Sequence, residues 1–350
     1  MQTKTTRVAA VLAAALLIAV SNACGSSAKS GVTGEHTTTS PSTLVGAGST
    51  LVAPLLTKWQ GEYSSAHGVT ITYGAIGSGG GIQGITDGTV DFGASDAPLS
   101  SDQETACVGC VQIPWALAAT TLSYNLPNAT KPLRLSGAVI ADIYRGTITK
   151  WNDHRIQALN PGVKLPSMNV RVIHRSDGSG DTYAFTAYLS RVSPVWASQV
   201  GTSTSVNWPA GIGERGNSGV AAAILSSPGA IGYVAIGQAI GSNLHYASVE
   251  NAAGQFVKPS TSSIEAAAAT AHFASDNSAS IVDPPASAAS AYPISTFTYV
   301  LVAKSSSKLA ALEKFIDFAV TKGQMDATTF DFAPLPQSVA AKDKAIVGRL

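Results

Sequence analysis

The chain has 350 residues, 45% of them hydrophobic and 12% charged, with 22 Lys+Arg set against 21 Asp+Glu. That length and apolar content suffice for two domains of ordinary size. So even a charge balance leaves no basic face for a nucleic acid.

Lys4 and Arg7 precede an apolar stretch, 8–20, that is too short to span a bilayer permanently and is patterned as an export signal. Residues 1–23 are therefore expected to be a lipoprotein signal peptide, with Cys24 the lipid-modified first residue of the mature chain. Ordinary cleavage that leaves Cys24 a free thiol is the alternative. The protein is thus expected to be exported and anchored to the outer face of the cell membrane. Residues 24–42 hold almost nothing to bury and are expected to be a flexible tether. Removal of residues 1–23 takes away two basic groups and no acid.

Beyond the tether, strands are predicted over 43–45, 69–75 and 90–93, with helices over 51–66 and 82–87 between them. Cys107 and Cys110 form a close pair in an exported chain, where a disulfide outweighs a metal or redox role. A helix is predicted over 136–145, a strand over 170–174 and a helix over 182–190. A helix over 219–225 leads into a strand over 229–234. The Ala-rich 264–274 segment reads as a surface helix. A strand over 296–302 precedes an amphipathic helix over 309–320, with Leu312, Phe315, Ile316 and Ala319 on one side. Alternation of this kind implies mainly parallel sheets covered on both faces, with ligands at the carboxyl ends of the strands. Trp59, Trp151, Trp196 and Trp208 are assigned to packing.

Three small-residue segments lie at such strand ends: Gly46-Ala-Gly-Ser-Thr50, Gly77-Ser-Gly-Gly-Gly-Ile82 leading to Gly93-Ala-Ser-Asp96, and His174-Arg-Ser-Asp-Gly-Ser-Gly-Asp-Thr182. Each can aim backbone N–H groups and hydroxyls at an anion from a helix N-terminus. Arg175 adds a planar cationic fork suited to oxyanions. Asp96 and Asp181 are the odd members, since a carboxylate only accepts hydrogen bonds and repels an unprotonated anion. The set therefore points to an anion that carries a proton, as inorganic phosphate does near neutral pH. A buried carboxylate that tests for this proton can discriminate against sulfate by roughly 10⁴ to 10⁵. No metal or cofactor is expected, because the six histidines are scattered and no ligand spacing recurs.

These runs, together with 89–100, Ile143-Tyr-Arg-Gly-Thr-Ile-Thr-Lys-Trp-Asn152, Gly216-Asn-Ser-Gly-Val220 and Gly229-Ala-Ile-Gly-Tyr233, closely resemble the phosphate-binding lipoproteins of Pst-type ABC importers, across about 43–340. The Gly-Ser-Gly-Asp ending of the third segment looks like actinobacterial members. The resemblance implies an α/β, two-lobed periplasmic-binding-protein (Venus-flytrap) fold, with two mixed or mainly parallel sheets flanked by helices and two hinge crossings. The crossings would fall near 111–118 and 291–297. Lobe I would comprise 43–114 and 296–350, and lobe II 115–295. It also implies phosphate contacts from Thr50, Leu51, Ser78, Asp96, Arg175, Ser179, Gly180 and Asp181. Asp177 would orient Arg175. Asp181 stands where the family commonly has threonine; its carboxylate could accept a proton from phosphate, lend only its N–H, or hold Arg175, and the first is the expectation carried forward. The implied partners are the membrane permease and ATPase subunits of the importer, with the protein itself a monomer. A binding protein for sulfate or molybdate is the alternative, and a phosphoryl-transfer enzyme a more distant one, since no activated nucleophile or metal carboxylates accompany the motifs.

Overall fold

Gly48 sets the entry to the first site segment. Its φ of +142° is left to glycine, and a Cβ there would sit 2.0 Å from the Ala94 carbonyl oxygen, so the first strand can turn tightly against the third. In this computed structural model the described residues are 43–127 and 131–350, all within one compact unit, Pro41–Leu350. The signal peptide, Cys24 and the 24–42 tether lie outside the described residues.

The body opens with β1 (Thr43–Gly48), α1 (Ala53–His67), β2 (Thr70–Ala75), α2 (Ser78–Thr86), β3 (Phe92–Ser95) and α3 (Ser101–Ala106). β1 pairs in parallel with both β2 and β3. Helix α2 begins four residues before the expected helix, because Gly79, Gly80 and Gly81 coil as its first turn, and Gly81 packs against the backbone of β1 and β3. The Cys107–Cys110 disulfide closes the turn into β4 (Cys110–Tyr124), with Cα atoms 5.4 Å apart.

After β4 come β5 (Arg134–Leu135), α4 (Gly137–Tyr144), α5 (His154–Leu159), β6 (Arg171–Arg175), α6 (Gly180–Val192), α7 (Pro194–Gln199), β7 (Ile212–Glu214), α8 (Gly216–Ser226), β8 (Ala230–Ala235) and α9 (Ile236–Gly241). Short strands β9 (His245–Tyr246), β10 (Ser248–Glu250) and β11 (Phe256–Val257) and helix α10 (Thr261–Ala268) lead back to β12 (Ser295–Ala303), α11 (Leu309–Val320), a 3-10 segment (Lys322–Phe330) and α12 (Gln337–Val347).

The main strands run in the order β2-β1-β3-β12-β4-β8-β6-β7, while β11-β10-β5 forms a separate small sheet. Both halves share β4. Its residues 110–119 pair antiparallel with β12, whereas 120–124 pair antiparallel with β8, so its partner changes between Ala119 and Thr120. The outer strands of each half are parallel, and the two crossing strands supply the antiparallel centre. The carboxyl ends of β1, β3 and β6 consequently face one cleft.

Trp59, Trp151 and Trp196 are fully buried, and Trp208 stacks on His174 with centroids 4.8 Å apart. The 264–274 segment departs from expectation. Its helix, α10, ends at Ala268 and buries Ile264 and Ala267 completely, because Ser260 caps it and turns that face onto β4 and β12. Among the described residues no helix is long and apolar enough to cross a membrane, and no group of His, Cys, Asp and Glu is arranged to hold a metal.

Asp343 of α12 is fully buried, and neither carboxylate oxygen has a hydrogen-bond partner among the described residues. Burial pushes its carboxyl up to about 8, only partly opposed by Lys342. A raised acid stabilises the fold fully below the unfolded value near 4, and that contribution is lost as pH rises through the folded value. Asp343→Asn should therefore be more stable than the parent at pH 8, on the order of 2–4 kcal/mol, with the difference shrinking toward pH 4. Thermal unfolding of both proteins from pH 4 to 8.5 measures it; parallel curves would reject a buried acid at this position.

Candidate functional site

Ser49 follows β1 and is completely buried. Its hydroxyl accepts the N–H groups of Leu51 (3.0 Å) and Val52 (3.2 Å) at the start of α1, so its own proton is directed to the Asp96 carboxylate, 2.6 and 2.7 Å away. Ser78, the first residue of α2, behaves in the same way. Its oxygen accepts the N–H of Asp96 (3.2 Å) and of Gly180 (3.0 Å), and its proton goes to Asp96 Oδ2 at 3.3 Å. Two hydroxyls thus converge on one carboxylate that is 1% exposed.

Across the cleft, Arg175 ends β6, also buried. Its Nε donates to Asp177 Oδ1 at 2.7 Å and Nη2 to Asp177 Oδ2, while Nη1 donates to Asp181 Oδ2 at 3.1 Å. The backbone N–H of Arg175 donates to the Tyr233 hydroxyl, which also bonds Thr182. Ser179 caps α6 by accepting the N–H of Thr182, which leaves Gly180 and Asp181 in the first helical turn. A Cβ on Gly180 would lie 2.4 Å from the Asp96 Cβ, so only glycine lets α6 approach β3 this closely. The lobes also touch where the Gly79 N–H donates to the Gly178 carbonyl at 2.9 Å.

Three protein donors reach the Asp181 carboxylate. Oδ1 accepts from the Thr120 hydroxyl at 2.7 Å, and Oδ2 accepts from Arg175 and from Asn217 Nδ2 at 2.8 Å. Asp181 thus holds Arg175, one of the three roles open to it from sequence, while Oδ1, with a single donor, keeps a lone pair for a proton-bearing ligand. The same Asn217 nitrogen donates to Thr50 Oγ1 at 2.9 Å.

All eight expected contact residues gather here: Thr50, Leu51, Ser78 and Asp96 from the first lobe, and Arg175, Ser179, Gly180 and Asp181 from the second. Beside them opens a cleft of about 420 Å³, lined by Thr50, Ile76, Asp177, Arg215, Asn217 and Ser218 among others. Ser49, Thr120 and Asn217 were not singled out from sequence as site residues. Ser49 and Asn217 stand inside conspicuous runs, whereas Thr120 lies in an unbroken buried strand and carries no local signal.

The charges are unequal. One buried cation, Arg175, faces Asp177, Asp181 and Asp96. Burial is the main cause that lifts the Asp96 carboxyl to about 7, with Asp181 adding to it and the Ser49 hydrogen bond and Arg175 opposing. Burial also raises Asp181, against Arg175, Thr120 and Asn217. For Asp177 burial is outweighed by the Arg175 hydrogen bonds, which hold it below the usual carboxylate range. Near pH 7 the pocket accommodates an added negative charge most readily when one proton is shared between Asp96 and the incoming group.

A PBP superfamily domain matches residues 33–322. The phosphate-binding protein PstS of Pasteurella multocida is 41% identical over 312 residues, covering 88% of this chain and 90% of that one. The phosphate-binding protein PstS of Xylella fastidiosa is 40% identical over 304 residues, covering 86% and 83%. Among solved structures, a phosphate binding protein from Stenotrophomonas maltophilia superposes with a TM-score of 0.64 at 18% identity, covering 87% of this chain and 93% of that one, which establishes the shared fold. Matched over most of its length by both the domain and these relatives, the chain belongs to the PBP superfamily and, within it, to the PstS family.

Proposed function

We propose that this chain captures inorganic phosphate between its two lobes outside the cytoplasm and delivers it to the permease and ATPase subunits of an ABC importer, as a monomeric binding protein and not an enzyme. The observation that carries this reading is Asp96, an almost inaccessible carboxylate 3.3 Å or less from two hydroxyl donors and within the field of the Arg175 guanidinium. The Thr50 and Ser179 hydroxyls would supply donors to the anion's oxygens, Arg175 its counter-charge, and Asp96 the acceptor for its proton; Leu51 and Gly180 would add their N–H groups only by giving up their bonds to Ser49 and Ser78. Sulfate and molybdate offer Asp96 no such proton and would be left unpaired. The change of partners along β4 and the return of the chain through β12 support two lobes joined by two crossings, lobe I as 43–114 with 296–350 and lobe II as 115–295. Titration calorimetry of the mature protein with phosphate and with sulfate, after unfolding to strip carried-over ligand, tests the proposal; equal affinity for both would reject it.

Membrane attachment is proposed to rest on a lipid at Cys24. Cys24→Ala should release the protein into the soluble fraction with phosphate affinity unchanged, because roughly 20 residues poor in apolar side chains separate the lipid from the pocket. Fractionation followed by calorimetry reads both; a variant that stays with the membrane would refute the lipid site.

A further inference from the structure

We infer that Asn217 is a positioning residue that latches the two lobes together and turns the Thr50 hydroxyl toward the anion; this rests on the phosphate-capture reading of the same site. Asn217 sits in the first turn of α8, 2% exposed. Its carbonyl oxygen accepts the Ala235 N–H at 2.8 Å, which fixes the amide so that the NH₂ group faces the cleft. Both of that group's protons are then used: one goes to Asp181 Oδ2 in the second lobe (2.8 Å), the other to Thr50 Oγ1 in the first (2.9 Å).

Two consequences follow from the donor count. A hydroxyl has one proton, and Thr50 already receives a donor from Asn217, so its own proton is free to point into the pocket. Thr50 is thereby held as a donor, the role an anion requires. The second consequence is mechanical. Asp181 is bonded to Arg175, so Asn217 joins the cation of one lobe to a ligand-facing hydroxyl of the other through a single amide. Opening the cleft must break the Asn217–Thr50 bond, along with the Gly79–Gly178 and Gly180–Ser78 contacts on the other side of the pocket. A latch of this kind acts on release more than on capture, because it forms only once the lobes have met.

Stopped-flow capture and release of phosphate, together with amide exchange at Gly79 and Gly180, tests the latch. Asn217→Ala should release phosphate roughly 10- to 100-fold faster, with association changed less than about threefold, and should lose protection at both amides. Asn217→Asp keeps the shape and the acceptor for Ala235 but sets an oxygen against Asp181, which repels it, and draws the Thr50 proton away from the anion, so release should again be faster if the first variant folds poorly. Adding Thr50→Val to Asn217→Ala should worsen release by less than Thr50→Val does in the parent, since part of the Thr50 contribution depends on its bond to Asn217. Unchanged release and protection in folded Asn217→Asp, a loss confined to association, or fully additive effects would each overturn the inference. Failure of the parent to bind phosphate would strike the capture reading, and the exchange of the Gly79 and Gly180 amides would then decide the latch by itself.

Discussion

Arg175→Ala should lose about 10²- to 10³-fold or more in phosphate affinity, the largest single loss in the pocket. Arg175 is the one buried cation facing three carboxylates, and its removal leaves Asp177 and Asp181 without their shared partner while the anion arrives without a counter-charge; breaking buried pairs in this way costs about 3–5 kcal/mol. The fold should suffer as well. Thr50→Ala removes one neutral donor and should cost about 1 kcal/mol, or roughly fivefold. Arg175→Lys should fall between the two, because an ammonium on a flexible stem cannot hold the Asp177 fork and Asp181 simultaneously. Calorimetric titration of the three variants ranks them, and equal losses for Arg175→Ala and Thr50→Ala would remove Arg175 from the site.

Asp96→Asn should change what the pocket prefers. The amide has nearly the shape of the acid but can donate, so an anion without a proton is no longer repelled and one with a proton loses its acceptor. Phosphate should weaken by about 10²-fold, sulfate should bind where the parent shows little, and a selectivity of roughly 10⁴ to 10⁵ should collapse toward a few-fold. The pH dependence has a definite sign. With the Asp96 carboxyl near 7, the parent and its ligand retain their common proton at pH 6 and lose it progressively above 7, so affinity should fall up to about tenfold per unit there. The Asn variant has only the ligand's own ionisation and should show a flatter profile. Measured from pH 5.5 to 8.5 in both proteins, coincident slopes would mean that Asp96 takes no part in holding the proton.

The pocket was legible in the sequence because its residues sit at strand ends, where glycine, hydroxyl and charged side chains interrupt apolar runs. Arg175, Asp96 and Ser78 stand out on that ground alone. The amphipathic helix is equally plain, and α11 covers the expected 309–320 with Leu312, Phe315, Ile316 and Ala319 all buried. The partnerships were not legible. Whether Asp181 faces a ligand or Arg175 depends on Thr120 and Asn217, which come from 61 and 36 residues away. The full extent of β4 was hidden for a different reason: it is buried on both faces from Gln112 to Tyr124, so no alternation marks where one lobe's sheet ends and the other's begins. Asp343 gave no signal either, since an acid in a polar-looking C-terminal helix reads as solvated until packing covers it.

The place of β12 bears on how the chain acquires its shape as it is made. This strand lies between β3 and β4, yet it begins at Ser295, after the whole second lobe. Until those residues emerge, the first sheet has a missing middle: β1, β2 and β3 can pair, but β3 and the first ten residues of β4 present unmatched backbone edges to each other. Strand insertion across so long a separation carries a large loop-closure entropy and is slow, and exposed apolar edges invite pairing with other chains in the interval. That delay keeps the strands of roughly the first third of the chain pliable until about its last sixth is being synthesised.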